Sequence, residues 1–348
     1  MSISPTPRID TRAELPYIHA LRILACYLVL VNHTHGDLLV SGAPGSVLCF
    51  CLLFSLCKMG VTLYVMISGV LLLDRDYGAK KILWSIARVL VLLVGVTALL
   101  ALWQEGPAGL EPLHFFQSLM AKPRMAPYWY LYALPLFYCT LPFLQRMARS
   151  FTLRDYVLFT VLLLLLPAVN LIMRSLFGLP VTRYFNFAQL PKFVTVAVAG
   201  KTMSLLPRRR RGMLLALAAF LLAWAGSFAS FFVPWLREGE VSFALDSWDL
   251  LPPLVMAGSC VYLFGYFRVG ERLRGSGPAI LRGFAALSLG IYVVHPVFNH
   301  FVHELGFLRS LTAYSPYLGV PVYAILLFLL SALVVWLLRL IPLARKFL

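Results

Sequence analysis

Apolar stretches long enough to approach the thickness of a bilayer recur along the whole chain, separated by short polar breaks. A helix needs roughly 20 apolar residues to cross about 30 Å of hydrocarbon. Marking runs on that scale gives residues 16–34, 47–73, 82–103, 126–143, 156–172, 186–206, 213–233, 250–267, 280–302 and 317–340. The pattern predicts an all-α, polytopic membrane helical bundle of about ten transmembrane helices. Lys58-Met-Gly60 lies inside the second run and predicts an interfacial segment ahead of the span proper. Residues 104–125 form the longest loop on their side, and Leu113 to Met120 within it predict a short surface helix.

The first run departs from the others because it contains Arg22 and His33. At about 100° per residue the eleven steps between them return to within roughly 20° of one face, about 16 Å along the axis. Cys26 and Val29 complete that stripe. A cation at membrane depth costs roughly 2.5 kcal/mol or more, so Arg22 is expected to face the bundle interior or a wet cavity and to have a partner. Alignment with Arg22 makes His33 a candidate for chemistry. His19, near the entry side, and His35, roughly 200° around the helix from His33, read as structural histidines.

The chain has 348 residues, of which 61% are hydrophobic and 13% charged, which leaves too little polar surface for a water-soluble fold. The formal charge of +16 raises nucleic acid as a partner. Its cations sit in short loops between apolar runs, however, which is the signature of membrane orientation. One set of alternate loops holds Arg75, Lys80, Lys81, Arg146, Arg149, Lys201, Arg208 to Arg211, Arg268, Arg272 and their neighbours; the other holds only Lys122, Arg124, Arg174, Arg183, Arg237 and Arg309. That bias is consistent at every loop with ten spans and both termini cytoplasmic. Residues 1–16 read as a retained cytoplasmic leader and 17–348 as a single transmembrane domain. The six cysteines show no paired CxxC spacing, so neither a metal site nor a disulfide framework is expected.

Four stretches resemble the acyltransferase-3 family of bacterial integral-membrane acyltransferases. Leu21-Arg-Ile-Leu-Ala25 through Asn32-His33 is similar to that family's arginine, ten residues, histidine pattern on its first helix. Gly60-Val-Thr-Leu-Tyr-Val-Met-Ile-Ser-Gly-Val-Leu-Leu-Leu73 resembles the end of its second helix. Tyr128-Trp-Tyr-Leu-Tyr132 with Leu141-Pro-Phe143 resembles its Trp-Tyr-Leu-Tyr helix, and Leu287-Ser-Leu-Gly-Ile-Tyr-Val-Val-His-Pro296 its Ser-x-Gly-Ile-Tyr-x-x-His-Pro signature. Two departures stand out. Where the family often carries two arginines three residues apart at the start of helix three, this chain has Ser85 and Arg88; where many members have a glutamate, it has Leu134 and Pro135. The chain is closest in character to the compact stand-alone branch that modifies glycans or lipid-linked sugars.

The resemblance implies an O-acyltransferase of the bacterial inner membrane. It would move an acyl group, most often acetyl and sometimes succinyl, from cytoplasmic acyl-CoA to a hydroxyl of a cell-surface polysaccharide or lipid-linked sugar. Lys80, Lys81 and Arg88 at the mouth of helix three would then hold the coenzyme A phosphates, unless the two lysines serve only to orient the chain. With an ordinary pKa near about 6.5, His33 is largely neutral and can act as base or as transient acyl acceptor. Arg22 anchors the donor or stabilises developing negative charge. His295 is either a structural histidine bonded to a neighbouring helix, together with Ser288 and Tyr292, or a catalytic or acceptor-binding residue. Trp129 and Tyr132 are either a platform for a sugar or an aromatic belt. Ser68-Gly69 is expected to permit close helix packing. A transporter or flippase of a glycan precursor is the alternative, but the duplicated halves with interrupted helices that such transporters show are not visible.

Overall fold

Each of the ten apolar runs contains a helix in the computed structural model, which describes residues 15–348 apart from 41, 76, 178–191, 244–246 and 248–249. In chain order the helices are α1 (Pro16–Asn32), α2 (Asp37–Val40), α3 (Pro44–Cys57), α4 (Met59–Leu72), α5 (Ala79–Glu105), α6 (Pro112–Ala121), α7 (Trp129–Ser150) and α8 (Leu153–Phe177). They continue with α9 (Lys192–Leu205), α10 (Arg210–Glu238), α11 (Leu251–Tyr266), α12 (Gly277–Glu304), α13 (Phe307–Tyr314), α14 (Pro316–Leu338) and α15 (Pro342–Phe347). No strand occurs among the described residues. Among the described residues six stretches are long and apolar enough to cross a membrane: Pro16–Val40, Pro44–Leu72, Ala79–Leu110, Arg210–Glu238, Gly277–Glu304 and Pro316–Leu338. The start of the run at 186–206 lies outside the described residues.

Several helices start at a proline in their first turn, among them α1, α3, α6, α14 and α15. The fixed φ suits that position and the missing N–H would have had no intrahelical partner. Ser315 caps α14, its hydroxyl accepting from the Leu318 N–H at 3.4 Å. The second run behaves differently from the expected interfacial segment. Lys58 separates α3 from α4 by one residue that keeps near-helical angles, φ −58° and ψ −26°. Its ammonium lies 3.9 Å over the Phe54 ring, so a cation–π contact accommodates the charge without an excursion to the surface.

The core surrounds α1, whose neighbours include α4, α11, α12 and α14. Leu21, Ala25, Cys26, Val29 and Leu30 of α1 are buried. By contrast α5 and α10 present exposed leucines, such as Leu90, Leu99, Leu215 and Leu222, on the outside of the bundle. Apolar side chains facing outward are what a hydrocarbon solvent requires. The surface helix expected at Leu113 to Met120 is α6, which buries none of its residues.

The tightest seam joins α4 to α9. A methyl group on Gly69 would overlap the main chain of Ala197, and one on Gly200 would stand 2.5 Å from Met66 Cα and Cβ. Without a hydrophobic driving force between helices in lipid, such small residues let backbones approach and gain dispersion contact. Lys201, assigned by sequence to a basic loop, follows Gly200 within α9 and is buried, with 1% of its side chain exposed; its ammonium is ion-paired to Asp74. The pattern of loop charges gave no hint of this, because a lysine near a span end reads the same whether it points out or in. We expect Gly200→Ala to lower the melting temperature of the detergent-solubilised protein through overpacking worth about 1–3 kcal/mol. Gly95→Ala, whose added methyl meets nothing within 4 Å, should melt like wild type in the same assay.

Candidate functional site

His33 ends α1 as its C-terminal cap residue, with φ −103° and ψ 1°. Helix ends leave carbonyls without intrahelical partners, and the His33 carbonyl accepts a hydrogen bond from Asn299 Nδ2 at 3.1 Å. The Tyr323 hydroxyl of α14 in turn donates to Asn299 Oδ1 at 3.0 Å. Three helices therefore fix the height at which His33 sits. Its ring stacks on that of His295, with centroids 5.6 Å apart and planes inclined by 30°.

His295 is fully buried in α12. Its Nδ1 lies 3.2 Å from the Ile291 carbonyl one turn back. A carbonyl can only accept, so Nδ1 carries the proton and Nε2 keeps a lone pair. That Nε2 has no hydrogen-bond partner among the described residues. The sequence reading left a bond to a neighbouring helix open as the structural role of His295; the bond found is to its own helix, and the ring meets His33. Neighbouring residues hold this stretch in place from outside: the Tyr128 hydroxyl donates to the Val293 carbonyl at 2.8 Å, and the Tyr292 hydroxyl donates to the Pro127 carbonyl.

Above the histidines lies a cavity of about 310 Å³, lined by His33, Met125, Pro127, Pro296, Asn299 and His303, among others. His303 Nε2 is 3.0 Å from Asp37 Oδ1, which ties the end of α12 to α2 beside the cavity. His35 has a different role. Its ring is stacked between Phe50 and Phe54 at centroid distances of 4.8 and 4.9 Å, the structural part expected of it.

Arg22 stands at the other end of α1. Tyr64 of α4, Tyr130 and Tyr138 of α7, and Arg75 lie within electrostatic range of its guanidinium. The expected partner is thus a set of phenols; among the described residues no carboxylate forms an ion pair with it. Aromatic rings lie between the two halves of α1: Tyr292 is 5.8 Å from His295, and Tyr130 is 5.7 Å from Tyr292 and within electrostatic range of Arg22.

The remaining sequence candidates are distributed unevenly. Arg88 donates from Nε to the Phe347 carbonyl at 2.7 Å and from Nη2 to the Leu348 main-chain oxygen at 3.1 Å. Lys81 holds its ammonium 4.1 Å over the Tyr77 ring, and Lys80 is exposed. All three lie toward the Arg22 end of the bundle, at or near the start of α5. Tyr132 donates to the Leu119 carbonyl at 2.8 Å and so pins α6 to α7. Trp129 packs at 5.9 Å from Tyr130, and neither Trp129 nor Tyr132 lines the histidine cavity. Among the described residues no group of three or more metal-ligating side chains is present.

Sequence reasoning missed Asn299, Tyr323 and Tyr128. For Asn299 a signal existed, since it follows His295 by four residues and shares its helical face; Tyr323 and Tyr128 reach the site only through tertiary packing. A family model described as an acyltransferase domain matches residues 15–340. No curated protein and no solved structure matches the chain. Replacing Asn299 by alanine removes the partner of both the His33 carbonyl and the Tyr323 hydroxyl. Its melting temperature should fall by the equivalent of about 1–3 kcal/mol, and Tyr323→Phe should fall by less.

Proposed function

The chain belongs to the acyltransferase-3 family and is a multi-pass membrane acyltransferase, and on that premise we propose that it carries an acyl group across the bacterial inner membrane. The donor is an acyl-CoA thioester, acetyl-CoA in the first instance, on the cytoplasmic side. The acceptor is a hydroxyl of a cell-surface polysaccharide or a lipid-linked sugar on the opposite side. Ten spans with both termini cytoplasmic put the Arg22 end inward and the His33 end outward.

One observation carries this reading: His33 lines a cavity and is in ring contact with the buried His295, whose Nε2 has no partner among the described residues, while Arg22, in the opposite half of α1, forms no ion pair with a carboxylate among the described residues. A thioester is already activated, so the protein has mainly to take up the proton of the acceptor hydroxyl and to place the two reactants. His33 takes that proton as the hydroxyl oxygen attacks the thioester carbonyl. The new C–O bond forms, the C–S bond breaks, and the thiolate leaves with the electron pair and is reprotonated from His33. His295, buried beneath His33, fixes its ring by stacking and offers Nε2 as a second acceptor for the proton. Arg22 holds the donor so that its pantetheine arm, extended along the aromatic rings of Tyr130 and Tyr292, presents the thioester to the histidines. The about 16 Å rise between Arg22 and His33 suits an arm of that kind and excludes both side chains from acting on one atom.

The decisive experiment is mass spectrometry of surface glycans and lipid-linked sugars from a deletion strain complemented with wild type or a variant, each checked for membrane expression. Wild type should restore one acyl mass increment, which identifies the group transferred as acetyl or succinyl. His33→Ala and Arg22→Ala should reduce it at least about 100-fold, the usual scale for loss of a general base. His35→Phe, which preserves the stack with Phe50 and Phe54, should restore it fully. Restoration by His33→Ala would remove the histidine from the chemistry, and an unmodified precursor accumulating on the cytoplasmic side would favour transport instead.

A further inference from the structure

The 23 residues of α14 rise about 35 Å, slightly more than the thickness of the hydrocarbon they cross. Its last turn therefore stands at the level of the lipid headgroups. The outer surface stays apolar up to and past that turn: Trp336, Leu337, Leu340, Ile341 and Leu343 are all exposed. Only Arg339, Leu340 and Ile341 separate α14 from the six-residue α15.

A helix that short is not stable by itself in water. It is fastened to α5. The Arg88 Nε and Nη2 donate to the main-chain oxygens of Phe347 and Leu348, and the Phe347 ring lies 5.9 Å from that of Trp84. These contacts fix the angle between α15 and the end of α14. Between them they leave a cavity of about 510 Å³, lined by Arg339, Leu340, Pro342, Arg345 and Lys346. The ion pairs among the described residues involve none of its three cations.

Three like charges around one cavity repel each other, and an anion seated among them reverses the sign of that interaction. Guanidinium and ammonium groups together form a donor set for phosphate oxygens. The apolar surface beside the cavity decides which phosphate. A soluble phosphate leaves that surface uncovered, whereas a phospholipid covers it with its chains while its headgroup meets the cations. None of Lys80, Lys81 and Arg88, the candidates for coenzyme A, lines this cavity. We propose that the cavity between α14 and α15 binds the headgroup phosphate of an anionic phospholipid through Arg339, Arg345 and Lys346, with the acyl chains lying on the exposed apolar surface of the last turns of α14. The proposal requires only that the chain spans a membrane, and it is independent of the donor and acceptor assigned above.

The test is native mass spectrometry of the purified full chain in detergent, titrated with phosphatidylglycerol and, separately, with phosphatidylcholine, whose choline cancels the phosphate charge. Wild type should favour phosphatidylglycerol by about tenfold or more, and Arg345→Gln/Lys346→Gln should bring the two lipids within about threefold of each other. Arg339→Gln alone should weaken phosphatidylglycerol by about fivefold and keeps the test available should the double variant fail to fold. Arg272→Gln/Arg274→Gln removes the same charge from an exposed stretch elsewhere and should leave the preference as in wild type. Excess coenzyme A or inorganic phosphate should not displace the bound lipid. An unchanged preference in the variants at 339, 345 and 346 would overturn the proposal, and so would an equal loss in the Arg272/Arg274 control, which would reduce the effect to net charge. Displacement by coenzyme A would also overturn it, by giving these cations to a soluble phosphate ligand.

Discussion

A guanidinium inside a bundle of hydrocarbon-facing helices has to be kept from lipid, and much of the architecture can be understood from that one constraint. Arg22 sits on α1, and α1 is enclosed by α4, α11, α12 and α14, while the helices with outward leucines, α5 and α10, stand at the periphery. Tyrosines lie within electrostatic range of the charge, and among the described residues no carboxylate forms an ion pair with it. Phenols moderate a cation without neutralising it, which leaves attraction for a negatively charged ligand. A carboxylate in the same place would satisfy the arginine and remove that capacity.

The same helix carries His33 about 16 Å away, so the two ends of the site share one rigid element. Their separation is fixed by helical geometry, and their height in the bundle by the Asn299 and Tyr323 bonds at the His33 end. The proposed acyl transfer between compartments calls for this division: charge recognition at one surface, proton uptake at the other, and a slender uncharged connection between. The aromatic rings of Tyr130 and Tyr292 occupy that intermediate position.

Much of this was legible in the chain itself. Hydrophobic runs located every long helix because spans need about the same length regardless of what they pack against. The register of Arg22 and His33 follows from 3.6 residues per turn and needs no tertiary knowledge. What remained hidden depends on which helix faces which. Lys201 looks like an orienting loop cation until the turn after α4 supplies Asp74. His295 looks structural until its ring is found against His33 from the opposite end of the sequence. Lys58 illustrates the reverse: an interfacial reading was reasonable for a cation in an apolar run, but Phe54 one turn earlier lets the helix continue almost without interruption.

The seam between α4 and α9 has a consequence of a different kind. On the proposed function one substrate is handled on each face of an energised membrane, and such a protein must not become a leak for protons. Polar atoms at both ends and a path between them are the ingredients of a water wire. Where Gly69 meets Ala197 and Gly200 meets Met66, backbone lies against backbone with no room for even a methyl group. Water cannot thread that line. On the proposed function these glycines would insulate the membrane voltage along the flank of the site, a duty that becomes visible only when ion tightness is considered alongside catalysis.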